Sequence, residues 1–227
     1  MKNKGWILVC LLGVLMIASA GLLCVYNIRQ SDEAAEYAEE VLSELKDRIP
    51  EAPAGTEPDA GQHTGQDLHG DETESAELPE DIVIGEENYC GFISLPSLSL
   101  DLPVMSSWSY PNLKKAPCRY CGAAQTNDLI IAAHNYTSHF GKIGRLTAGD
   151  AIIFTDTGGR QYQYTVSFIE VIEGRDVEQM FSGQSVDWDL TLFTCTLGGK
   201  SRVTVRADRT GSDRQTADPD AGSAQTE

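Results

Sequence analysis

Residues 189–207 read DLTLFTCTLGGKSRVTVRA, and this stretch predicts the fold of the domain around it. Apolar and polar residues alternate over 190–195 and again over 202–207, a period of two that is typical of β-strands. Gly198 and Gly199 between them indicate a turn, so we predict a β-hairpin. The two faces of its first strand are then Leu190, Leu192 and Thr194 on one side, and Thr191, Phe193 and Cys195 on the other.

Outward from this hairpin, residues 82–209 contain several more short strand-like segments and no long helical periodicity. The further predicted strands are residues 91–95, 98–102, 128–133, 151–154 and 161–171, the last introduced by the turn signal Gly158-Gly159. Short strands at this spacing predict an all-β barrel or sandwich.

Three residues of the predicted domain can carry chemistry. Cys195 ends a strand beside a tight turn, and His134 ends the apolar run 129–133, so each side chain is held at the mouth of a strand. A cysteine with a histidine is a nucleophile with its acid/base partner. Arg202 returns towards Cys195 across the turn, although Arg206 on the same strand face is an alternative. A small buried cysteine is the structural alternative for Cys195.

The motifs around these residues resemble those of the sortases, a family of cysteine transpeptidases. Thr191-Leu-Phe-Thr-Cys195 is similar to the family's T-L-x-T-C signature, and Ala133-His134-Asn135 is similar to its histidine region. Arg202, shortly after the cysteine, matches the third catalytic position. The resemblance extends from about residue 89 to residue 207.

This resemblance implies an eight-stranded sortase-type β-barrel with short helical insertions. It implies cleavage of an LPxTG-like sorting signal between Thr and Gly, and transfer of the acyl group to an amine of a cell-wall precursor. Cys195 is then the nucleophile and His134 the acid/base. Arg202 either donates hydrogen bonds to the oxyanion or holds the substrate backbone. Thr194 and Asn135 are assigned to substrate binding. No cofactor and no metal are expected, since Asp150 and Asp156 are too few for a calcium site.

The subclass prediction rests on two shorter segments. Residues 173–187 have room for only one or two helical turns around residues 177–181, which disfavours class B. The region before the barrel lacks the Asp-Pro-aromatic motif of a class C lid. We therefore predict a class D-like enzyme.

The N-terminal region predicts a membrane anchor. Residues 6–26 carry no charged side chain, and a helix of this length spans about 30 Å, the hydrocarbon thickness of a bilayer. Lys2 and Lys4 place residues 1–5 in the cytoplasm, with residues 6–28 as the anchor and the rest of the chain outside, as in a Gram-positive type envelope. A cleaved signal peptide, with Ala18-Ser19-Ala20 as its cleavage site, is the alternative.

Residues 29–81 are predicted to be an acidic, flexible and largely disordered stalk, and residues 210–227 a disordered tail. Half of the 34 acidic residues lie between Asp32 and Asp81. Within the stalk, residues 31–49 have helical spacing and could form an amphipathic helix, but we favour a solvated, partly helical segment. The formal net charge of -17 provides no positive surface, so nucleic acid is not an expected partner.

Two other features have alternative interpretations. Cys118-Arg-Tyr-Cys121 matches a redox or half-zinc motif, but a C-x-x-C redox site normally opens a helix, which the β pattern contradicts. A disulfide among Cys90, Cys118 and Cys121 stays open. For the whole domain, the alternatives to a sortase are an exported cysteine hydrolase without transpeptidation and a catalytically inactive peptide-binding β-barrel.

Overall fold

The computed structural model describes residues 3–50, 79–176 and 188–210. Helix α1 spans Asn3–Arg48 and helix α2 spans Tyr110–Leu113, with 3-10 turns at Pro96–Leu98 and Phe140–Arg145. The strands are β1 (Ile82–Ile84), β2 (Glu87–Leu95), β3 (Leu100–Met105), β4 (Cys118–Cys121), β5 (Leu129–Ala133), β6 (Ala151–Asp156), β7 (Gln161–Glu173), β8 (Leu190–Cys195) and β9 (Ser201–Arg209).

Eight of these strands close into a barrel, and the ninth lies beside it. Hydrogen bonds join them in the order β2-β3-β4-β5-β8-β9-β7-β6, and β6 pairs back with β2. Strand β1 lies outside this ring and pairs with the first residues of β2. The pairs β3–β4 and β5–β8 are parallel and the others are antiparallel. The predicted all-β, eight-stranded barrel with short helical insertions is therefore confirmed.

The barrel interior is filled by the apolar face of each strand. Because side chains alternate across a strand, every second residue points inwards. On β8 these are Leu190 and Leu192, and on β5 they are Leu129, Ile131 and Ala133. Residues from the other strands complete this core, including Ile93, Val104, Ile152, Phe154, Tyr162, Val205 and Ala207.

The predicted strands are present, with two differences at the edges. The segment 98–102 starts as a strand only at Leu100, because Pro96–Leu98 forms a 3-10 turn and Ser99 has a φ of 50°. Strands β1 and β4 were not predicted. Strand β4 coincides with Cys118–Cys121, so the C-x-x-C lies on a strand and opens no helix.

The C-terminal half of α1 corrects the expectation of a solvated stalk. The helix continues to Arg48, and its residues at three- and four-residue spacing are buried against the barrel. Val41, Leu45 and Ile49 form a second apolar cluster with Tyr89 and Met105, outside the barrel core. The acidic residues between them occupy the opposite, exposed face. Residues 31–49 are thus an amphipathic helix that belongs to the folded domain.

The N-terminal half of α1 is exposed along its apolar side chains. This helix is long and apolar enough to cross a membrane, by its length and composition. Three other expectations lie outside the described residues: the rest of the stalk (51–78), the helical turns around 177–181 and the tail beyond Thr210.

The packing of α1 predicts unequal effects for two leucines on the same helix. Leu45 is fully buried, whereas Leu42 is partly exposed on a neighbouring face. We expect Leu45→Ala to lower the free energy of unfolding by about 2–5 kcal/mol, because it removes buried methyl groups and leaves a cavity. Leu42→Ala should cost about 1 kcal/mol or less. Denaturant unfolding of the full chain in detergent micelles measures both, and equal effects would contradict the docked helix.

Candidate active site

Three neighbouring strands of the barrel end at the predicted catalytic residues. Strand β5 pairs in parallel with β8, and the last pair is Ala133 with Thr194. Cys195 is the next residue on β8, and His134 directly follows the end of β5. Strand β9 is antiparallel to β8, and Cys195 pairs directly with Arg202. Since neighbouring strands lie about 4.8 Å apart, the three residues form one row across the sheet. We call His134, Cys195 and Arg202 the row.

The row lies on the outer face of the barrel. Ala133, directly before His134, belongs to the barrel core, Thr194 directly before Cys195 is buried, and Val203 directly after Arg202 packs against the core, while Ala132 and Phe193 belong to the outer apolar cluster. Alternation therefore directs Cys195 and Arg202 outwards with Phe193. All three residues of the row are partly buried, so they are accessible to a ligand while held by their neighbours.

The turn after Cys195 holds Arg202. Gly198 and Gly199 both have positive φ, at 94° and 73°, a conformation that favours glycine. The Nη1 atom of Arg202 donates to the carbonyl oxygens of Gly199 at 2.9 Å and Ser201 at 3.1 Å. These bonds occupy one of the three guanidinium nitrogens. Arginine has five N–H donors, so further donors remain for a ligand.

Arg206, the alternative to Arg202, lies in a different environment. It pairs with Thr191, four residues before Cys195, and only 1% of it is exposed. Its Nε donates to Glu170 at 2.9 Å, its Nη1 donates to Thr191 at 2.8 Å, and its guanidinium lies over the Trp188 ring. The geometry therefore favours Arg202 as the partner of Cys195.

The loop after His134 is closed by its own backbone. The carbonyl of His134 accepts from the amide of Phe140 at 3.2 Å, and the carbonyl of Tyr136 accepts from the amides of His139 and Gly141 at 3.0 and 2.9 Å. Gly141 allows this closure. A Cβ there would lie 2.5 Å from the Asn135 carbonyl oxygen and 2.6 Å from that of Tyr136. We call residues 134–141 the histidine loop.

Tyr136 connects the two histidines of this loop. Its ring centroid lies 4.9 Å from that of His134 and 5.4 Å from that of His139. Burial lowers the pKa of His134, and the charge of Lys114 lowers it further. Burial lowers the pKa of His139 to about 4, the charge of His134 adds to this, and the Lys115 backbone opposes it. His139 is fully buried, whereas His134 is partly exposed.

The two residues assigned to substrate binding differ in position. Thr194 is 3% exposed, and its hydroxyl donates to the carbonyl of Ala133 at 2.9 Å. This bond ties β8 to β5 directly before the row, so the hydroxyl holds the strands together and is turned away from the outer face. Asn135 is partly buried and follows His134 in the histidine loop.

The other cysteines form no disulfide, and all six are free thiols. Cys90 and Cys118 are buried, and burial raises the pKa of each thiol to about 12, which makes them poor nucleophiles. Cys121 is partly exposed, and burial also raises its pKa. Within residues 3–50, 79–176 and 188–210, no group of three or more His, Cys, Asp or Glu side chains could hold a metal ion.

A group of aromatic side chains beside the row was not identified in the sequence. Phe193, two residues before Cys195 on the same face, contacts Tyr120 edge-on at 5.5 Å. Tyr120 contacts Trp108 at 5.7 Å, and Trp108 contacts Tyr110 at 5.2 Å. We call these four residues the aromatic wall. Tyr110 is 72% exposed. The Trp-Ser-Tyr triplet at 108–110 was the one signal of this group in the sequence. The triplet lies far from Cys195 along the chain, so the sequence did not indicate that the two are close in the fold.

A small cavity elsewhere in the barrel does not include the row. It is lined by Cys90, Arg119, Gln125 and Asp156 among others. Leu129, which also lines it, begins β5, whereas His134 follows the other end of that strand.

Comparison with known proteins gives one family. The family model of the sortase domain matches residues 93–210, more than half of the chain. Comparison with curated proteins gives no match.

Solved structures with a similar fold include sortase C from Clostridium perfringens SM101, 26% identical, covering 54% of this chain and 70% of that chain with a TM-score of 0.46. A Sortase D5 transpeptidase of Clostridium perfringens is 23% identical, and the match covers 53% of this chain and 78% of that chain with a TM-score of 0.47. Sortase C of Streptococcus pneumoniae is 21% identical, and the match covers 59% of this chain and 80% of that chain with a TM-score of 0.48.

The close packing at Gly141 predicts that this position tolerates no side chain. We expect Gly141→Ala to push the carbonyls of Asn135 and Tyr136 apart, displace His134 and reduce at least tenfold the transpeptidation that the sequence motifs predict. Gly144→Ala is the matched control, because the nearest atom to its Cβ, on the Val203 side chain, is 3.4 Å away. Turnover and circular dichroism of both variants measure this. Equal activity in the two variants would contradict the role of the loop closure.

The pKa of His139 predicts a loss of stability in mild acid. Because its pKa in the folded protein is about 4, against an ordinary value near 6.5, only the unfolded chain binds this proton between those pH values. The free energy of unfolding should therefore fall by about 2–3 kcal/mol as the pH drops from 6.5 to 4.

The variant His139→Phe should show a shallower fall over the same range. The comparison with the parent separates His139 from His134, whose pKa is also lowered. Denaturant unfolding at a series of pH values measures the slope, and identical slopes would contradict this assignment.

Proposed function

Because the chain belongs to the sortase family, we propose that it is a cysteine transpeptidase with Cys195, His134 and Arg202 as its catalytic residues. The observation that carries the proposal is the register of β5, β8 and β9, which aligns residues 134, 195 and 202 in one row on the outer face of the barrel. A thiol, an imidazole and a guanidinium in one accessible row are the groups that acyl transfer through a thioester requires.

The proposed reaction has two halves. The Cys195 thiolate attacks the carbonyl carbon of the Thr–Gly bond in an LPxTG-like sorting signal. Protonated His134 gives its proton to the departing Gly amine as the carbon–nitrogen bond breaks, which leaves a thioester on Cys195. An incoming amine then attacks the thioester carbonyl, His134 accepts its proton, and the Cys195 sulfur leaves. A peptidoglycan precursor is the proposed source of the amine.

Arg202 is proposed to stabilise the oxyanion that forms in each half. Its position opposite Cys195 supports this role, and its Nη1 bonds to the turn hold the guanidinium near the strand end. A positive partner for the oxyanion matters here because burial lowers the pKa of His134, which reduces the share of its imidazolium form at neutral pH.

The aromatic wall is proposed to bind the apolar side chains of the sorting signal. Peptide sites are commonly lined by aromatic side chains next to a few polar groups. The wall extends from Phe193, beside Cys195, to the exposed Tyr110. Asn135 is proposed as a polar contact on the other side of the row, and Thr194 as a positioning residue through its bond to Ala133.

Helix α1 is proposed to anchor the enzyme in the cell membrane, with residues 1–5 in the cytoplasm and the barrel outside. Its exposed apolar half supports the span. Lys2 and Lys4 before the span, and the acidic residues after it, support this orientation. Surface proteins bearing a sorting signal are the proposed partners, and the class D-like assignment remains a prediction.

The test is a transpeptidation assay with the full chain in detergent micelles. An LPxTG peptide and a glycyl amine are supplied, and mass spectrometry follows the transfer product and the Cys195 adduct. We expect Cys195→Ala to abolish both species and Cys121→Ala, the matched control at the other partly exposed thiol of the barrel, to retain turnover. Arg202→Ala should lower kcat about 100-fold or more, as expected for the loss of an oxyanion donor.

The outcomes separate the alternatives. Release of free acid at a rate that added amine does not change would indicate a hydrolase. Peptide binding with no Cys195 adduct would indicate an inactive peptide-binding barrel. Turnover that survives Cys195→Ala would contradict the proposed nucleophile.

A further inference from the structure

The membrane-anchor helix contacts the histidine loop through a chain of polar side chains. Gln30 donates from Nε2 to the hydroxyl of Tyr26 at 2.8 Å, and its Oε1 accepts from the hydroxyl of Tyr136 at 3.2 Å. The Tyr136 ring in turn lies against the imidazoles of His134 and His139. Contacts therefore run without interruption from Tyr26, at the end of the apolar run, to the proposed acid/base.

A second contact lies one residue further along the helix. Ser138 donates from its hydroxyl to the carbonyl oxygen of Ser31 at 3.0 Å, and the two hydroxyl oxygens lie 3.3 Å apart. Gln30 and Ser31 thus hold two positions of the histidine loop. The helix provides a firm support for these contacts, because Ala34 and Ala38 in its next turns are buried.

The histidine loop needs such a support. His134 comes directly after the end of β5 at Ala133, so strand pairing no longer restrains its side chain. Among the described residues, neither ring nitrogen of His139 has a partner in good hydrogen-bond geometry, and only the Lys115 backbone lies near enough to affect its pKa, so packing provides most of the restraint on that side chain. Tyr136 lies between the two rings, and its own position is set at the hydroxyl end by Gln30.

We propose that Gln30 and Tyr136 are positioning residues, through which the membrane-anchor helix holds His134 in place beside Cys195. This inference rests on the proposed function, because it assigns a role in turnover to the contact. Tyr136 acts through its ring on His134, and Gln30 acts through the Tyr136 hydroxyl. The helix is then part of the catalytic apparatus as well as the anchor.

The contact also sets the height of the row above the bilayer. Gln30 is four residues beyond Tyr26, and a helix rises about 1.5 Å per residue, so the loop is held about 6 Å past the end of the apolar run. The row is therefore kept next to the membrane surface, where substrates that are themselves attached to the membrane arrive.

A double-mutant cycle on the full chain in lipid vesicles tests the positioning role. Tyr136→Phe keeps the ring on His134 and removes the hydroxyl, and Gln30→Met keeps the length of the side chain and removes the acceptor. We expect each variant to lower kcat about three- to tenfold with KM unchanged, which corresponds to the loss of one hydrogen bond. The double variant should be no slower than the slower single variant, since all three lack the same bond.

Two further variants serve as controls for the double-mutant cycle. Gln30→Glu retains an oxygen acceptor for the Tyr136 hydroxyl and should retain most of the activity. Lys46→Gln removes a different contact between α1 and the barrel, the ion pair with Asp101 at 2.9 Å, and should leave kcat unchanged. Multiplying effects in the double variant, or equal losses from Lys46→Gln and Gln30→Met, would overturn the inference.

Two measurements do not depend on turnover and so separate this inference from the proposed function. The first is the rate at which iodoacetamide alkylates Cys195, followed by mass spectrometry of its tryptic peptide. A displaced His134 no longer lies where it can accept the Cys195 proton, so Tyr136→Phe and Gln30→Met should both slow alkylation by the same factor. If the parent shows no transpeptidation, the proposed function fails. Equal alkylation rates in the parent and both variants then overturn the positioning role as well.

The second measurement tests the docking of the helix. Ser31→Cys combined with Ser138→Cys brings two thiols together where the hydroxyl oxygens are 3.3 Å apart, and a small shift allows a disulfide. We expect rapid cross-linking of this pair on oxidation. Ser19→Cys with Ser138→Cys is the control, because Ser19 lies about 18 Å earlier along the helix. Equal cross-linking in both pairs would overturn the inference.

Discussion

The register between β5 and β8 is the constraint on which the rest of the site depends. Ala133 pairs with Thr194, and the buried Thr194 hydroxyl donates to the Ala133 carbonyl directly before the two strands end. A slip of one residue would turn His134 or Cys195 towards the opposite face of the sheet, because side chains alternate along a strand. The apolar side chains Ile131 and Leu192 resist this slip, since it would expose them to water.

The same register determines which residues around the row face the barrel core and which face outwards. Residues that face inwards stabilise the barrel, and residues that face outwards form the row and the aromatic wall. Arg206 shows how close the two roles lie. Arg206 shares a strand face with Arg202, but its guanidinium is already bound by Glu170 and lies over the Trp188 ring. Its role is therefore structural. Arg202 instead pairs with Cys195 and is partly exposed.

Helix α1 shows where local patterns were insufficient. The spacing of Ala34, Ala38, Val41 and Leu45 indicated a possible amphipathic helix, but the acidic residues between them favoured a solvated stalk. Acidic side chains on one face do not oppose burial of the other. The sequence contained no signal for the surface that would cover the apolar face, because that surface is assembled from β1, β2 and β3. Strand β4 was missed for a related reason, since its four residues are too few to show a period.

Local patterns in the chain were enough to predict the β-hairpin at 190–207, the faces of its first strand, the apolar span and the residue types of the row. Each of these follows from alternation, composition or turn residues within a short window, where local geometry decides the structure. Tertiary structure alone decided that β5 lies parallel to β8 across 61 residues of chain, and that α1 contacts the histidine loop. Such pairings depend on closing the barrel and on which apolar faces remain to be covered, and no local window contains that information.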